Sequence, residues 1–125
     1  MTFEEKVRLL GQTPLTTKEV RYGNSVSIQG YLLGRPKVIK STFKGQEVES
    51  ISMWVHQITV NGYYYNDKDF YVIVYSKSAM ETLKKLDHVA LLNIVGMLSW
   101  NNKKQTIQVQ GEVIDVALET DITLD

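Results

Sequence analysis

The sequence predicts a single all-β domain in which five short strands curl into a barrel, with one helix between the third and fourth strands. Three observations support this fold class. Aliphatic residues alternate with polar ones at period two from residue 25 onward, turn residues separate the alternating stretches, and one helical stretch at 77–87 interrupts them. A chain of 125 residues is long enough for one such domain and too short for two.

Residues 1–23 are predicted to form an extension that precedes the barrel. Thr2 and Glu5 have the spacing of a capping box, and apolar residues follow at i, i+4 and i+7. We therefore expect a helix over residues 3–10, which is too short to be stable unless it packs on another surface. Glycine, proline, threonine and asparagine follow over residues 11–24, which we interpret as an irregular connection.

Five alternating stretches mark the strands of the barrel. The predicted strands cover residues 25–32, 50–56, 70–75, 91–98 and 107–113. Pro36 ends the first strand or marks it as an edge, with Val38 as an alternative continuation. Gly30 and Gly96 lie inside strand patterns, where glycine usually marks a bend or bulge. Five strands with one helix between strands 3 and 4 is the order of the OB fold, a five-stranded Greek-key barrel, although other α+β arrangements share it.

The charge of the chain is zero overall but unevenly distributed. All 14 basic residues lie within the first 104 positions, whereas five of the 14 acidic residues lie within the last 21. A basic body with an acidic end is compatible with a nucleic-acid partner, and a short acidic C-terminal tail is expected over residues 118–125. A solvated surface of mixed charge is the alternative interpretation.

No motif for catalysis or for a resident metal is present. The absence of cysteine excludes disulfides, thiolate metal sites and cysteine nucleophiles, and fits a cytoplasmic protein. Neither His56 nor His88 has another ligand at metal-binding spacing, and Asp67 and Asp69 are interpreted as loop-solubilising residues beside Lys68. We expect no enzyme activity, no cofactor, no metal and, since no apolar run approaches about 20 residues, no membrane span.

Aromatic side chains give the strongest indication of function. Trp54 and His56 on the second strand, and Tyr71 and Tyr75 on the third, are predicted to lie opposite the aliphatic stripes of their strands. In an antiparallel pair these faces adjoin. Aromatic rings on an open sheet face suit base stacking, which contributes roughly 1–3 kcal/mol per base. The alternative is that aromatic residues are simply common in strands.

Two predicted loops extend this surface. A tyrosine triplet at 63–65 lies between strands two and three, and Trp100 precedes the polar turn 101–104 between strands four and five. Loops that flank the face of an OB barrel bind oligonucleotides, and lysines there contact phosphates. A subunit contact is the alternative for the tyrosine triplet. The predicted nucleic-acid-binding residues are Trp54, His56, Tyr64, Tyr71, Tyr75, Trp100, Lys37, Lys40, Lys77, Lys103 and Lys104.

Four segments in order resemble a known family. The first is Asn24-Ser-Val-Ser-Ile-Gln-Gly-Tyr-Leu32 followed by Pro36 and Val38, and the second is Asp69-Phe70 with its following aliphatic and aromatic residues. The others are Lys77-x-Ala79 with Leu86, and Leu92-x-Ile-x-Gly-x-Leu98. Together they resemble the bacterial and phage single-stranded DNA-binding (SSB) family over about residues 24–117, in a compact phage- or plasmid-type version.

The resemblance implies an OB-fold domain that binds single-stranded DNA without strong sequence preference in DNA replication, recombination or repair. It also implies a homo-oligomer, a dimer or a tetramer, with stacking residues at Tyr75, Phe70 and Trp100, although strand alternation places Phe70 on the core face. The Gly- and Pro-rich linker and the Pro-Phe finish of the family are absent, which argues against recruitment of replication or recombination proteins through the tail. An OB-fold adaptor that binds proteins in a replication or recombination complex is the alternative function.

Overall fold

The structure, a computed structural model, describes residues 1–12 and 23–125, except for the side chains of residues 60, 61, 64 and 65. Most of the predicted irregular connection therefore lies outside the described residues. The elements are α1 (Phe3–Gln12), β1 (Val26–Leu32), β2 (Lys37–Phe43), β3 (Gln46–Asn61), β4 (Tyr64–Val74), α2 (Lys77–Lys84), β5 (His88–Asn101) and β6 (Thr106–Thr123).

All six strands belong to one sheet that closes on itself. The order is β1-β5-β6-β4-β3-β2, and an additional pairing of β1 with β3, at Tyr31 and His56, completes a ring of five strands. The sixth strand, β2, pairs with β3 outside that ring. The prediction of five strands was wrong because β2 was missed: one of its seven residues is partly buried and the others are exposed, so no alternation of buried and exposed positions marks it as a strand.

The core lies on the inward face of the sheet. Val72 and Val74 of β4 are fully buried opposite Met53 and Ile51 of β3, which confirms the predicted faces of this strand pair. Helix α2 adds Ala79, Met80 and Leu83 to the same core. Full burial of an aliphatic side chain contributes about 1.5–3 kcal/mol, so the inward face dominates the stability of the barrel.

Glycine is required where strands approach each other closely. A Cβ at Gly96 would lie 1.9 Å from the carbonyl oxygen of Gln110, at a point where the β5–β6 register shifts. A Cβ at Gly30 would lie 2.5 Å from Cγ1 of Val55, where β1 passes β3. The prediction of a bulge or bend is thus confirmed at Gly96, and close strand approach explains Gly30.

The two ends of the chain differ in how they relate to the barrel. In α1 the backbone N–H of Glu5 donates to Oγ1 of Thr2 at 3.1 Å, as the capping-box spacing predicts, but no residue of this helix is buried. At the other end, β6 continues to Thr123 and the side chain of Leu124 is 3% exposed. The stretch 118–125, expected to be an acidic tail, therefore forms the last part of the barrel.

Within the described ranges, neither helix has the length and apolar composition needed to cross a membrane.

Candidate nucleic-acid interface

A pair of aromatic rings lies on the outward face of the β3–β4 hairpin. Trp54 and Tyr71 are direct cross-strand partners, so their side chains emerge side by side. Their ring centroids are 5.2 Å apart at an interplanar angle of 62°, an edge-to-face arrangement. Trp54 remains 48% exposed, so much of its indole surface is available to a ligand.

A lysine from the β5–β6 turn lies over both rings. Nζ of Lys104 is 3.8 Å from the centroid of Tyr71 and 5.1 Å from that of Trp54, within the range of cation–π attraction. The turn is held by Asn101, whose Oδ1 accepts the backbone N–H groups of Lys103 and Lys104, each at 3.0 Å. Asparagine commonly shapes turns in this way, and here it positions Lys104. We call Trp54, Tyr71 and Lys104 the aromatic cluster.

Two grooves meet at the aromatic cluster. The first has a volume of about 540 Å³ and is also lined by Arg35, Lys37, Ile39, Ser52 and His56. The second has a volume of about 340 Å³ and is also lined by Asp69, Phe70, Leu98, Ile107 and Gln108. All three residues of the cluster line both grooves, so an extended ligand could pass across the cluster from one groove to the other.

The first groove is basic. Lys37 is the cross-strand partner of Ser52, whose small side chain leaves room between β2 and Trp54. Arg35 lies in the break between β1 and β2. With Lys104, the groove has three cationic side chains beside two aromatic rings, the combination used by proteins that bind single-stranded nucleic acids. The sequence analysis did not select Arg35, although the adjacent Pro36 already indicated a change of chain direction there.

A histidine and two aspartates adjoin the cluster on the same face. His56 is the cross-strand partner of Asp69, and its Nδ1 lies 2.7 Å from Oδ1 of Asp69 and 3.0 Å from Oδ2 of Asp67. Their ligand atoms all lie within 4.8 Å of one another, and in the described part of the chain this is the one such group that could hold a metal ion. Sequence reasoning assigned Asp67 to a loop and missed the group. Pairing residues symmetrically about a turn at Gly62–Tyr63, the turn that the structure has, places Asp69 opposite His56.

The other predicted aromatic residues are dispersed. Trp100 is 54% exposed and pairs with Ile107, which places it beside the second groove. Tyr75 is 51% exposed, follows the end of β4 and lines neither groove. The side chain of Tyr64 lies outside the described residues. Of the predicted aromatic set, Trp54 and Tyr71 are therefore brought together, with Trp100 nearby.

The predicted lysines also separate into two groups. Lys37 and Lys104 line the first groove, whereas Lys77 and Lys103 are exposed and line neither groove. Lys40 is the cross-strand partner of Glu49, which forms an ion pair with Lys84 of α2. The hydrogen bond from Lys84, with a smaller attraction from Lys40, holds the pKa of Glu49 below its usual value. Lys40 therefore lies on the helix side of β2, away from the aromatic cluster.

Comparison with known proteins identifies the architecture. No protein-family model and no curated protein matches the chain. Among solved structures, the mitochondrial single-stranded DNA-binding protein Rim1 of S. cerevisiae matches with a TM-score of 0.59 and 10% identity, over 77% of this chain and 97% of that one. The chain has the fold of single-stranded DNA-binding proteins.

A second solved structure with this fold comes from a bacterium. The second single-stranded DNA-binding protein of Mycobacterium smegmatis, SSBb, matches with a TM-score of 0.51 and 14% identity, over 77% of this chain and 90% of that one. These matches confirm the predicted OB fold. Because the sequences are so different, the likeness establishes the architecture alone, and the function depends on the groove residues.

Proposed function

We propose that this protein binds single-stranded DNA without strong sequence preference. The observation that carries the proposal is the aromatic cluster, in which two partly exposed rings and a lysine lie where a basic groove meets a second groove. Trp54 and Tyr71 stack on bases, and Arg35, Lys37 and Lys104 neutralise phosphates. The structural neighbours Rim1 and SSBb are single-stranded DNA-binding proteins, which supports the same function.

Lys104 has two positions in the proposed mechanism. In the free protein its ammonium group lies on the ring of Tyr71. A base that stacks on Tyr71 takes that place, and the displaced ammonium group binds an adjacent phosphate. Each stacked base contributes roughly 1–3 kcal/mol, which exceeds the 0.5–1 kcal/mol of an exposed cation–π contact, so the exchange favours the bound state. Trp100, beside the second groove, provides a further stacking surface.

The remaining parts of the proposal concern the cellular role. We propose a binding protein without catalysis or cofactor, of a compact phage or plasmid type, that acts in the cytoplasm during DNA replication, recombination or repair. We also propose that it self-associates as a dimer or tetramer. Exposed aliphatic residues on the outer face of β5 and β6, among them Val95, Val113 and Leu118, support self-association.

Titration of tryptophan fluorescence with a 30-nucleotide oligo-dT tests the proposal. At low salt we expect saturable quenching, because Trp54 stacks on bases. Duplex DNA of equal length is expected to bind much more weakly, since its bases are paired. With three phosphates neutralised, the slope of log K against log salt is expected to be about −2, at about −0.7 per contact.

A protein adaptor is the second candidate, and the zero net charge of the chain favours it. An adaptor predicts the opposite results: no quenching by the oligonucleotide, and no dependence of oligonucleotide affinity on salt between about 50 and 200 mM. Either result would contradict single-stranded DNA binding through the aromatic cluster.

A further inference from the structure

We propose that the carboxylate of Asp69, which lies beside His56, makes the binding groove prefer bases that carry an exocyclic amino group, such as cytosine, over bases that do not, such as uracil and thymine. This inference rests on the proposed single-stranded DNA binding and concerns the same site. It adds a preference for one class of base to a mode of binding that otherwise ignores sequence.

Asp69 lies beside the aromatic pair on the outward face of the hairpin. It lies two residues before Tyr71 in β4, and its cross-strand partner His56 lies two residues after Trp54 in β3. Side chains two apart on a strand share a face, so Asp69 emerges directly beside the aromatic pair. Asp69 also lines the second groove together with Trp54 and Tyr71. A base stacked on this pair therefore has a carboxylate within reach of its edge.

One carboxylate oxygen of Asp69 is free to bind a ligand. Nδ1 of His56 is hydrogen-bonded to the carboxylate of Asp67 and lies 2.7 Å from Oδ1 of Asp69, so the imidazole occupies the Oδ1 side of Asp69. The other oxygen, Oδ2, has no hydrogen-bond partner among the described residues, and the Asp69 side chain is 46% exposed. In the same part of the structure no lysine or arginine lies within 4.0 Å of Asp67 or Asp69. The group is therefore an available anionic acceptor.

Charged side chains are distributed unevenly around the aromatic cluster. Arg35 and Lys37 line only the first groove, Lys104 lies where the two grooves meet, and Asp69 lines only the second. A carboxylate repels phosphate, so the sugar-phosphate chain is expected to follow the cationic side. The base edges then extend towards Asp69.

The chemistry of the bases gives the preference. An ionised carboxylate only accepts hydrogen bonds, and aspartate accepts the N4 amino group of cytosine. Uracil and thymine carry the O4 carbonyl oxygen at that position, which repels the carboxylate. Their N3–H is the one donor on that edge and lies between O4 and O2, so a carboxylate that reaches it also meets both carbonyl oxygens. Cytosine and uracil have rings of the same size and similar stacking area, so a comparison of these two pyrimidines isolates the hydrogen-bonding groups of the base edge.

The test compares the affinities of 15-nucleotide oligo-dC and oligo-dU at pH 7.5, with EDTA present so that no cation occupies the His56–Asp67–Asp69 group. For the unmodified protein we expect oligo-dC to bind at least about fivefold more tightly, the lower end of discrimination by a base-edge contact. Asp69→Asn is expected to bring the ratio close to one, because its amide can donate to O4. Asp69→Ser, which has no carboxylate and no amide, is expected to do the same.

Asp115→Asn is the matched control. Asp115 is an exposed carboxylate on β6, opposite Asn93, and lines neither groove. This variant removes the same charge and is expected to keep the preference for oligo-dC. Equal binding of the two oligonucleotides by the unmodified protein, or an unchanged ratio in both folded Asp69 variants, would overturn the inference alone. Binding of neither oligonucleotide would overturn the proposed function as well.

Discussion

The two faces of the β3–β4 hairpin are formed by the same strands, but one is part of the core and the other lines the grooves. The inward face, with Val72 and Val74, is fully buried and supports the barrel. The outward face presents Trp54, Tyr71 and Asp69 to two grooves. One position along a strand separates a core residue from a candidate ligand contact, because successive side chains point to opposite faces. Binding residues on such a surface can change with little effect on the core.

The largest expected effect is on stability. Val72→Ala and Val74→Ala remove two methyl groups each from fully buried positions and are expected to lower the free energy of unfolding by about 2–3 kcal/mol. Urea denaturation measures this loss, and the affinity of the folded variants for oligo-dT is expected to be unchanged. Normal stability combined with lost affinity would mean that the two faces are exchanged.

The next effect is on affinity. Tyr71→Ala and Trp54→Ala are expected to weaken binding of oligo-dT by roughly 1–3 kcal/mol each, because a stacking surface is lost. Their thermal unfolding is expected to stay close to that of the unmodified protein. Tyr75→Ala removes a similarly exposed ring that lines neither groove, so we expect it to weaken binding less than the other two. An equal loss in Tyr75→Ala would extend the interface beyond β4.

A smaller effect distinguishes Lys104, which lines the basic groove, from Lys40, which lies on the helix side of β2. Lys104→Ala is expected to make the slope of log K against log salt less negative by about 0.7, since one phosphate contact is lost. Lys40→Ala removes the same charge from the side of β2 that carries Glu49 and is expected to leave the slope unchanged. Equal slopes of log K against log salt in the two variants would show that the two lysines contribute equally to binding, whether or not they line the basic groove.

The smallest effect concerns the turn that carries Lys104. Asn101→Ala removes two hydrogen bonds to the turn backbone and one to Oε1 of Gln108, so Lys104 is held less well over the rings. We expect an affinity loss of about 1 kcal/mol or less, the net value of a typical hydrogen bond. Asn102→Ala is the control, since only its backbone carbonyl makes a contact within the turn. Similar losses in both variants would argue against the positioning role of Asn101.

Local periodicity was enough to predict the faces of the hairpin. Alternation over residues 70–75 gave the buried valines and the outward Tyr71, and the antiparallel rule placed Trp54 beside it. The grouping of His56 with Asp69 depends on the register of the whole hairpin. The sequence prediction lost that register by treating 63–68 as a loop, whereas β4 begins at Tyr64.

Composition misled the prediction at the C-terminus. Five acidic residues in the last 21 positions indicated a solvated tail, but β6 pairs with β5 up to Thr123. The decisive interactions are long-range: the backbone N–H of Leu124 donates to the carbonyl oxygen of Asp87 at 2.9 Å, and its side chain enters the core. The acidic side chains of β6 are exposed on the outside of the barrel. Composition alone does not distinguish such a strand from a solvated tail.

The most direct test of the central claim uses one tryptophan as the reporter. In Trp100→Phe, Trp54 is the single remaining indole, and it lies in the aromatic cluster. If bases stack on this cluster, a 30-nucleotide oligo-dT quenches the Trp54 fluorescence saturably at low salt, and the quenching reverses as salt is added. If the folded variant binds the oligonucleotide with no change in Trp54 fluorescence, the bases lie elsewhere and the account of the aromatic cluster is contradicted.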